Sequence, residues 1–451
     1  LEIKEPGDMR PNLNLMKATL TGALGGLLFG FDTVVISGAI DALVRLYNLS
    51  PQGKGWTVAI ALIGTVVGAL GAGQVGQKIG GRETLRITAV LYVVSAVGSG
   101  VAWNWPVLML FRFIGGLGIG ASSVLGPVYI AELAPARWRG RLVGAFQFNV
   151  VLGILVAYTS NYFIRTLHLG AAEWRWQVGV AALPALGFLA LLFGIPRSPR
   201  WLASKGRNDE ALVVLKLMGE PEPEAELADI RAALAEEHAT AHEPVFRWKY
   251  RYPLFLAISI GAFNQLSGIN AILYYLNNLF TEAGSSQESA YLKAIAIGVA
   301  NLVCTIVGMS VIDKLGRKTL LLIGAVGTAS CLAVVSWIFA TNSHTGALVW
   351  VLITYIGFFA ISQGAVIWVY IGEVFPNAVR SKGQGVGNAS HWIMNTIIAL
   401  EFPVLVAHIG PGAPFTFFAV MTAIQFLVVL FVYPETKGQT LEALQRKLVR
   451  A

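Results

Sequence analysis

Charge is scarce in this chain. Only 13% of its 451 residues are Asp, Glu, Lys or Arg, against 55% hydrophobic, whereas a soluble domain carries about a quarter charged residues. That balance excludes an ordinary soluble globule. Cysteine is nearly missing: Cys304 and Cys331 both lie in apolar runs with no metal-ligand spacing. They read as helix packing rather than as a redox pair or a metal site. HExxH, GxSxG and paired carboxylates are missing from the apolar runs, which argues against an intramembrane enzyme. A GxxxxGK[ST] loop is missing too, which argues against ATP-driven transport. No metal and no cofactor are expected.

What the chain has instead is glycine, 49 residues of it, and long apolar runs. Small residues let helices approach closely in a membrane. "LTGALGGLLFGFDTVVISGAI" at 20–40 has the length that crosses a bilayer core and is too long for a signal-peptide core. Similar runs predict spans at 16–40, 56–76, 84–104, 108–131, 142–163 and 175–195, then at 253–279, 291–312, 319–340, 347–372, 384–407 and 414–433. Between the two sets the chain turns polar, and "RNDEALVVLKLMGE" and "AELADIRAALAEEHA" there read as short amphipathic surface helices. The expected organisation is a first bundle at 1–196, a helical linker at 197–251, a second bundle at 252–433 and a tail at 434–451.

The net charge of +8 raises the question of nucleic acid. Its distribution answers it. Of the 33 Lys and Arg, 27 fall on the side that holds both ends and the linker, and five on the other: Arg45, Lys54, Arg165, Arg175 and Lys293. The remaining one, Arg112, lies inside span 4. By the positive-inside rule both termini and the linker are cytoplasmic, in a protein of the plasma (inner) membrane, and no nucleic-acid partner is needed.

The sequence repeats itself. "VYIAELAPARWRG" at 128–140 returns as "VYIGEVFPNAVRS" at 369–381, so Glu132 matches Glu373 and Arg139 matches Arg380. "QKIGGRETL" at 77–85 echoes "DKLGRKTL" at 313–320, and "PRSPR" at 196–200 echoes "PETKG" at 434–438. Two six-helix halves in parallel arrangement follow, as in transporters that rock one half against the other. Positive-inside charge with capping accounts for each acid or base singly. The spacing shared by both halves points to ion pairs between them.

One acid, Asp32, stands in the middle of a first-half span, where a charge costs a few kcal/mol even on mild insertion scales. Arg112 is the only basic side chain more than two residues inside the end of a span. The two form either a permanent structural pair or a titrating one. Burial favours the protonated acid and a nearby guanidinium favours the carboxylate. A distance that changes between two states of the protein would therefore load and release a proton.

The other polar groups within spans are mostly uncharged: Gln147, Gln265, Asn270, Asn301 and Asn395, with Trp368 and Trp392. Amides offer donors and acceptors without charge, and tryptophan faces suit the apolar side of a pyranose. That set fits a neutral ligand with many hydroxyls. Taken singly, each amide could equally be an interhelical hydrogen bond worth about 0.6 kcal/mol.

With "GGLLFGFDTVVISG", "RFIGGLGIG", "AELAPARWRGRL", "NQLSGINAILYY", "DKLGRKTLLL", "GEVFPNAVR" and "PETKG" in order along the chain, the sequence resembles the sugar porter family of the major facilitator superfamily. The likeness is nearer to its bacterial proton–sugar symporters of the xylose type than to its facilitative glucose transporters. It implies an all-α polytopic membrane protein with twelve transmembrane helices in two six-helix halves and a short intracellular helical insert. It implies a neutral monosaccharide, a proton and a lipid bilayer as partners, with function as a monomer. Asp32 and Arg112 match the acid–base couple of the proton symporters. Gln147, Gln265, Asn270, Asn301 and Trp368 match sugar-binding positions, and Trp392 and Asn395 line the same cavity.

This chain departs from the pattern at several points. Asn264 stands where the family has a first glutamine, and His391 where it has Gln or Asn, which leaves the identity of the sugar open. At the cytoplasmic gate the resemblance implies roles for Arg82, Glu132, Arg139, Arg200, Arg317, Lys318, Glu373, Arg380 and Glu435. Gln77 and Gly81 are mild departures, and Arg197 reverses the charge of a usual glutamate. Arg197 is expected to set a cation against Arg82, Arg139 and Arg200, weakening the closed gate and favouring an inward-open resting state. A facilitator in which Asp32 is a relic is the alternative to a symporter. A non-transporting sugar sensor on the same fold is a third reading, disfavoured because such sensors carry long cytoplasmic tails.

Overall fold

The computed structural model describes residues 12–240, 243–376 and 379–439, with Leu444 and Leu448. Among the described residues there are helices and no β-strand. Twelve helical segments are long and apolar enough to cross a membrane, and the protein is an integral membrane protein. Spans 1–6 are Leu13–Tyr47, Pro51–Ile79, Gly81–Val101, Trp105–Leu133, Ala136–Thr166 and Gly170–Gly194. Spans 7–12 are Trp248–Tyr274, Gln287–Ile312, Arg317–Thr341, Thr345–Glu373, Arg380–Ile409 and Gly412–Phe431. All twelve expected spans are present, and most outrun their apolar runs.

Capping explains part of that extra length. Asn12, Ser50 and Asn104 each accept a hydrogen bond from a first-turn N–H of the span that follows, and proline opens spans 2 and 4. Gly80 and Gly316, with φ of 96° and 89°, make the matching tight turns between spans 2 and 3 and between spans 8 and 9. A side chain would be strained at either position. The repeat seen in the sequence is therefore a repeat of backbone geometry.

Spans 2 and 4 touch backbone to backbone through two glycine pairs four residues apart, Gly64 with Gly68 and Gly116 with Gly120. A Cβ on Gly116 would lie 2.0 Å from the Ala61 carbonyl oxygen, and one on Gly120 2.1 Å from that of Thr65. Only glycine permits this approach, which substitutes packing for a hydrophobic driving force that lipid does not supply.

The second half carries breaks that periodicity did not predict. Span 7 reads as one apolar run, yet it folds as Arg251–Leu266, Ile269–Tyr274 and Leu276–Glu282. Gly268 adopts a left-handed conformation at the first break, with φ of 81°. The freed groups find partners: Ser267 Oγ donates to the Asn264 carbonyl at 2.6 Å and Tyr355 Oη donates to the Ser267 carbonyl at 2.8 Å. Inside a membrane, broken backbone survives only with such replacement bonds. Span 10 breaks at Ser362, between Leu348–Ile361 and Gln363–Glu373. The linker holds three helices where two were expected, Pro199–Ser204, Asn208–Met218 and Pro223–Thr240.

Between the halves, span 2 packs on span 11, span 5 on span 8, and span 1 on the broken span 7.

Candidate functional site

Asp32 and Arg112 meet in the first half. Both are buried, at 7% and 3% exposure, and Arg112 Nη1 donates to Asp32 Oδ1 at 3.3 Å. The contact is single and long, not the bidentate fork an arginine can make with a carboxylate. Asp32 Oδ2 and Arg112 Nε are buried with no hydrogen-bond partner. A pair held by one long bond can separate at less cost than a fully bonded one. Its separation still leaves each charge to find another partner, because an uncompensated buried charge is expensive.

The second half builds a polar network around the break in span 7. Asn270, after the break, donates through Nδ2 to Gln265 Oε1 at 3.0 Å. Gln265 Nε2 donates to Asn264 Oδ1 at 3.1 Å and lies 3.2 and 3.3 Å from the two ring nitrogens of His391 in span 11. The His391 ring is 5.0 Å from Trp368 and 5.1 Å from Trp392 between centroids. Trp392 reaches across the seam to Phe29 of span 1, at 5.6 Å. Asn395 is bound to the Tyr274 hydroxyl, its Nδ2 donating at 3.0 Å. Trp368 keeps 39% exposure although its ring meets buried His391, so one side of the ring opens on space.

Six of the expected positions thus form one connected group: Asn264, Gln265, Asn270, Trp368, His391 and Trp392. Asn395 adjoins it through span 11. Gln147 of span 5 is half-buried and Asn301 of span 8 is buried. Among the described residues, no hydrogen bond ties either of them to the network. Gln363 was missed. It sits at the break in span 10, 1% exposed, with both amide heteroatoms unbonded, and its carbonyl lies 3.5 Å from Asn264 Nδ2. An uncharged amide within an apolar run was its only signal.

At the face that carries the linker, Glu83 gathers three cations: Arg82 at 2.6 Å, Arg86 at 2.8 Å and Arg197 at 3.5 Å. Arg197 also stacks over Trp201, 5.1 Å from its centroid. The expectation that Arg197 faces cations alone is corrected. Span 3 turns Glu83 toward it; that acid lies within the repeated "QKIGGRETL", where its neighbour Arg82 makes it read as a local pair. Arg139 is corrected as well: it pairs at 3.6 Å with Glu226 of the linker. Glu132 and Arg200 are half-buried at the same face.

In the second half Arg317 holds Glu373 at 2.8 Å, and Thr436 Oγ1 donates to the same carboxylate at 2.6 Å. Lys318 reaches the Leu430 carbonyl and Arg380 that of Phe375. Glu435 accepts from the backbone N–H groups of Arg317, Lys318, Thr436 and Lys437, at 2.9 to 3.0 Å. It caps the first turn of span 9, where a carboxylate is favoured by the helix dipole as well. Partial burial pushes the Glu435 carboxyl up, but the four N–H groups outweigh it and hold it below the usual 4.5. A lowered acid stabilises the folded state fully above its unfolded value and loses that contribution as pH falls through the folded one. Melting curves should therefore show wild type above Glu435→Gln at neutral pH, with the difference closing below about pH 4.

The opposite face is stitched shut across the two halves. Asn278 donates to Asp41, Asn277 Nδ2 to the Ser37 carbonyl at 3.2 Å, and Tyr291 to the Gly38 carbonyl at 2.9 Å. Tyr158 donates to the Leu273 carbonyl at 2.8 Å, and Arg165 reaches Gln287 at 2.9 Å. Apart from Arg165, counted among the five cations of this side, none of these residues stood out in the sequence, because a surface asparagine looks the same whether or not a second helix arrives beside it.

Comparisons with known proteins point to one family. Residues 18–448 match the family profile described as Sugar (and other) transporter. The chain is 35% identical to the D-xylose-proton symporter of Escherichia coli strain K12, over 96% of this chain and 95% of that protein. It is 33% identical to the arabinose-proton symporter of Bacillus subtilis strain 168, over 99% of each. The fold is similar to the inward-open conformation of the xylose transporter XylE from E. coli, with a TM-score of 0.86 at 33% identity, covering 96% of this chain and 100% of that one. Against XylE bound to 6-bromo-6-deoxy-D-glucose the TM-score is 0.80 at 34% identity, covering 96% and 99%. With the family profile matching nearly its whole length and twelve spans in the expected order, this chain belongs to the sugar transporter family, as a sugar porter of the major facilitator superfamily.

Proposed function

We propose that this protein is a proton-coupled symporter that moves a neutral monosaccharide, a pentose or hexose, by alternating access. The single observation that carries the reading is the buried Asp32–Arg112 pair, set across the seam from a network of uncharged amides and tryptophans. The first bundle (1–196) supplies the proton site. The second (252–433) supplies Gln265, Asn270, Asn264, His391, Trp368, Trp392 and Asn395 for the sugar, with Gln147 of span 5 and Asn301 of span 8 as further binding positions. The linker (197–251) and tail (434–451) lie in the cytoplasm, in a plasma-membrane protein that works as a monomer.

The coupling is electrostatic. With the outer side open, Asp32 drawn away from Arg112 takes a proton. With the inner side open, the guanidinium returns and expels it. One proton moving inward releases about 2.3 kcal/mol per 100 mV, enough for roughly a fifty-fold gradient of a neutral sugar. Uptake into proteoliposomes with an imposed pH gradient, run with D-xylose, D-glucose and D-galactose, tests this. Accumulation should collapse on adding a protonophore while counterflow persists. Equal uptake with and without the gradient would make the protein a facilitator.

Hydrogen bonds closing the face opposite the linker, with the higher TM-score to an inward-open relative, support an inward-open resting state. Arg197 occupies the place that Glu435 holds in the second half, and it offers a cation where Glu435 caps span 9. Accessibility of cysteines placed on the two faces reads the resting state out, and labelling confined to the face opposite the linker would refute it.

A further inference from the structure

Gly115 of span 4 is where span 4 packs closely on span 3 beside the proton site. A Cβ built there would lie 2.4 Å from Ser95 Oγ and 3.5 Å from Asp32 Oδ2. The two oxygens therefore lie near one glycine, no farther apart than those two distances together, with no direct hydrogen bond between them. A single water making two hydrogen bonds of about 2.8 Å can bridge a gap of that order.

Both oxygens have capacity to spare. Asp32 Oδ2 is buried and unbonded, while Oδ1 holds Arg112. A serine inside a helix commonly donates back to the carbonyl one turn earlier, as Thr84 and Thr88 do on this same helix. Among the described residues Ser95 makes no such bond, although it is only 3% exposed. Ser95 belongs to a buried polar line on span 3 with Tyr92 and Ser99. Tyr92 is taken up by Ser122, at 2.8 Å, and the Ser99 hydroxyl is buried without a partner. Arg112 is the charged neighbour of Asp32. Tyr92 on span 3 faces Asp32, and Tyr274 on span 7 faces Arg112. Spans 5 and 6, also packed on span 1, bring no charged group to Asp32 among the described residues.

We propose that Ser95 is a positioning residue for the transported proton, acting on Asp32 Oδ2 through one water held over Gly115. When Asp32 is ionised, the serine hydroxyl orients that water to donate to Oδ2. When Asp32 is loaded, the acid proton on Oδ2 is donated to the same water. The transported proton enters and leaves on Oδ2, and Ser95 keeps its own hydrogen throughout. With no side chain at Gly115, Ser95 can stand this close to Asp32. The inference rests on the symport reading.

The bond to the ionised form is charge-assisted and the stronger of the two. Ser95→Ala should therefore make Asp32 hold its proton more tightly. In proteoliposomes with an imposed gradient, the pH of half-maximal accumulation should move upward by about half a unit, roughly threefold in proton affinity. Sugar counterflow at fixed pH should be unchanged, since exchange needs no proton release. Gly115→Ala, whose methyl group would displace the Ser95 hydroxyl, should shift the profile the same way. In an Asp32→Asn background, Ser95→Ala should have no further effect. Superimposable pH profiles for wild type and Ser95→Ala would overturn the proposal, as would loss of counterflow in step with accumulation, which marks a packing role. Failure of wild type to accumulate sugar under a pH gradient would instead refute symport itself.

Discussion

Asp32→Asn is expected to abolish sugar accumulation while leaving counterflow in place. The amide keeps the shape of the carboxylate, and its oxygen can still accept from Arg112 Nη1, now 3.3 Å from Asp32 Oδ1. What it cannot do is carry a proton. Under 100 mV the wild type should sustain roughly a fifty-fold sugar gradient per proton, and the variant should equilibrate to a ratio near one. Arg112 then loses its counter-charge, and breaking one side of a buried pair costs about 3–5 kcal/mol. Purified yield and melting temperature should accordingly fall, and counterflow serves as the check that the variant still folds. Accumulation at the wild-type level would remove Asp32 from the mechanism. Arg112→Ala should be harsher, since it strands a buried carboxylate that then retains its proton in both states.

Gln265→Ala is expected to weaken sugar binding the most among the second-half variants. Gln265 is the hub of the network: Asn270 donates to its oxygen, and its amide nitrogen serves Asn264 and His391. Truncation removes a group that would bond a sugar hydroxyl and also frees three neighbours from their fixed orientations. Leaving a buried polar partner unpaired costs about 1–3 kcal/mol, which is about five- to 150-fold in affinity. Calorimetric titration, or quenching of the Trp368 and Trp392 fluorescence by sugar, measures it. Asn270→Ala should lose less, because Gln265 keeps its other contacts. Unchanged affinity in both would mean that the network binds something other than the transported sugar.

The site was partly legible before any coordinate. Asp32 and Arg112 were found because charge inside an apolar run is costly, so each stands out alone and there is only one partner to choose. Gln265, Asn270, Trp368 and Trp392 were found through their polarity and through the family resemblance. Gln363 escaped because one amide in an apolar run carries no mark of whether its hydrogen bonds will be met. Glu83 escaped for a different reason. It lies beside Arg82 in the sequence, so it reads as a local pair, and its approach to Arg197 exists only once the end of span 6 folds back onto span 3.

By itself the sequence determined the twelve spans and the two-fold repeat. Each of these is written in quantities local to the chain: a run of apolar residues as long as a bilayer is thick, a phrase repeated at a fixed interval. Tertiary structure decided the rest. It broke spans 7 and 10 where Gly268 and Ser362 could turn and where Tyr355 could satisfy a freed carbonyl. It set Asp32 against a single arginine nitrogen with one oxygen to spare, gave Arg197 an acid, and sealed one face with asparagines and tyrosines. Those outcomes depend on which backbones approach within bonding distance, and residues 80 or more positions apart in sequence do not encode that until the helices have packed.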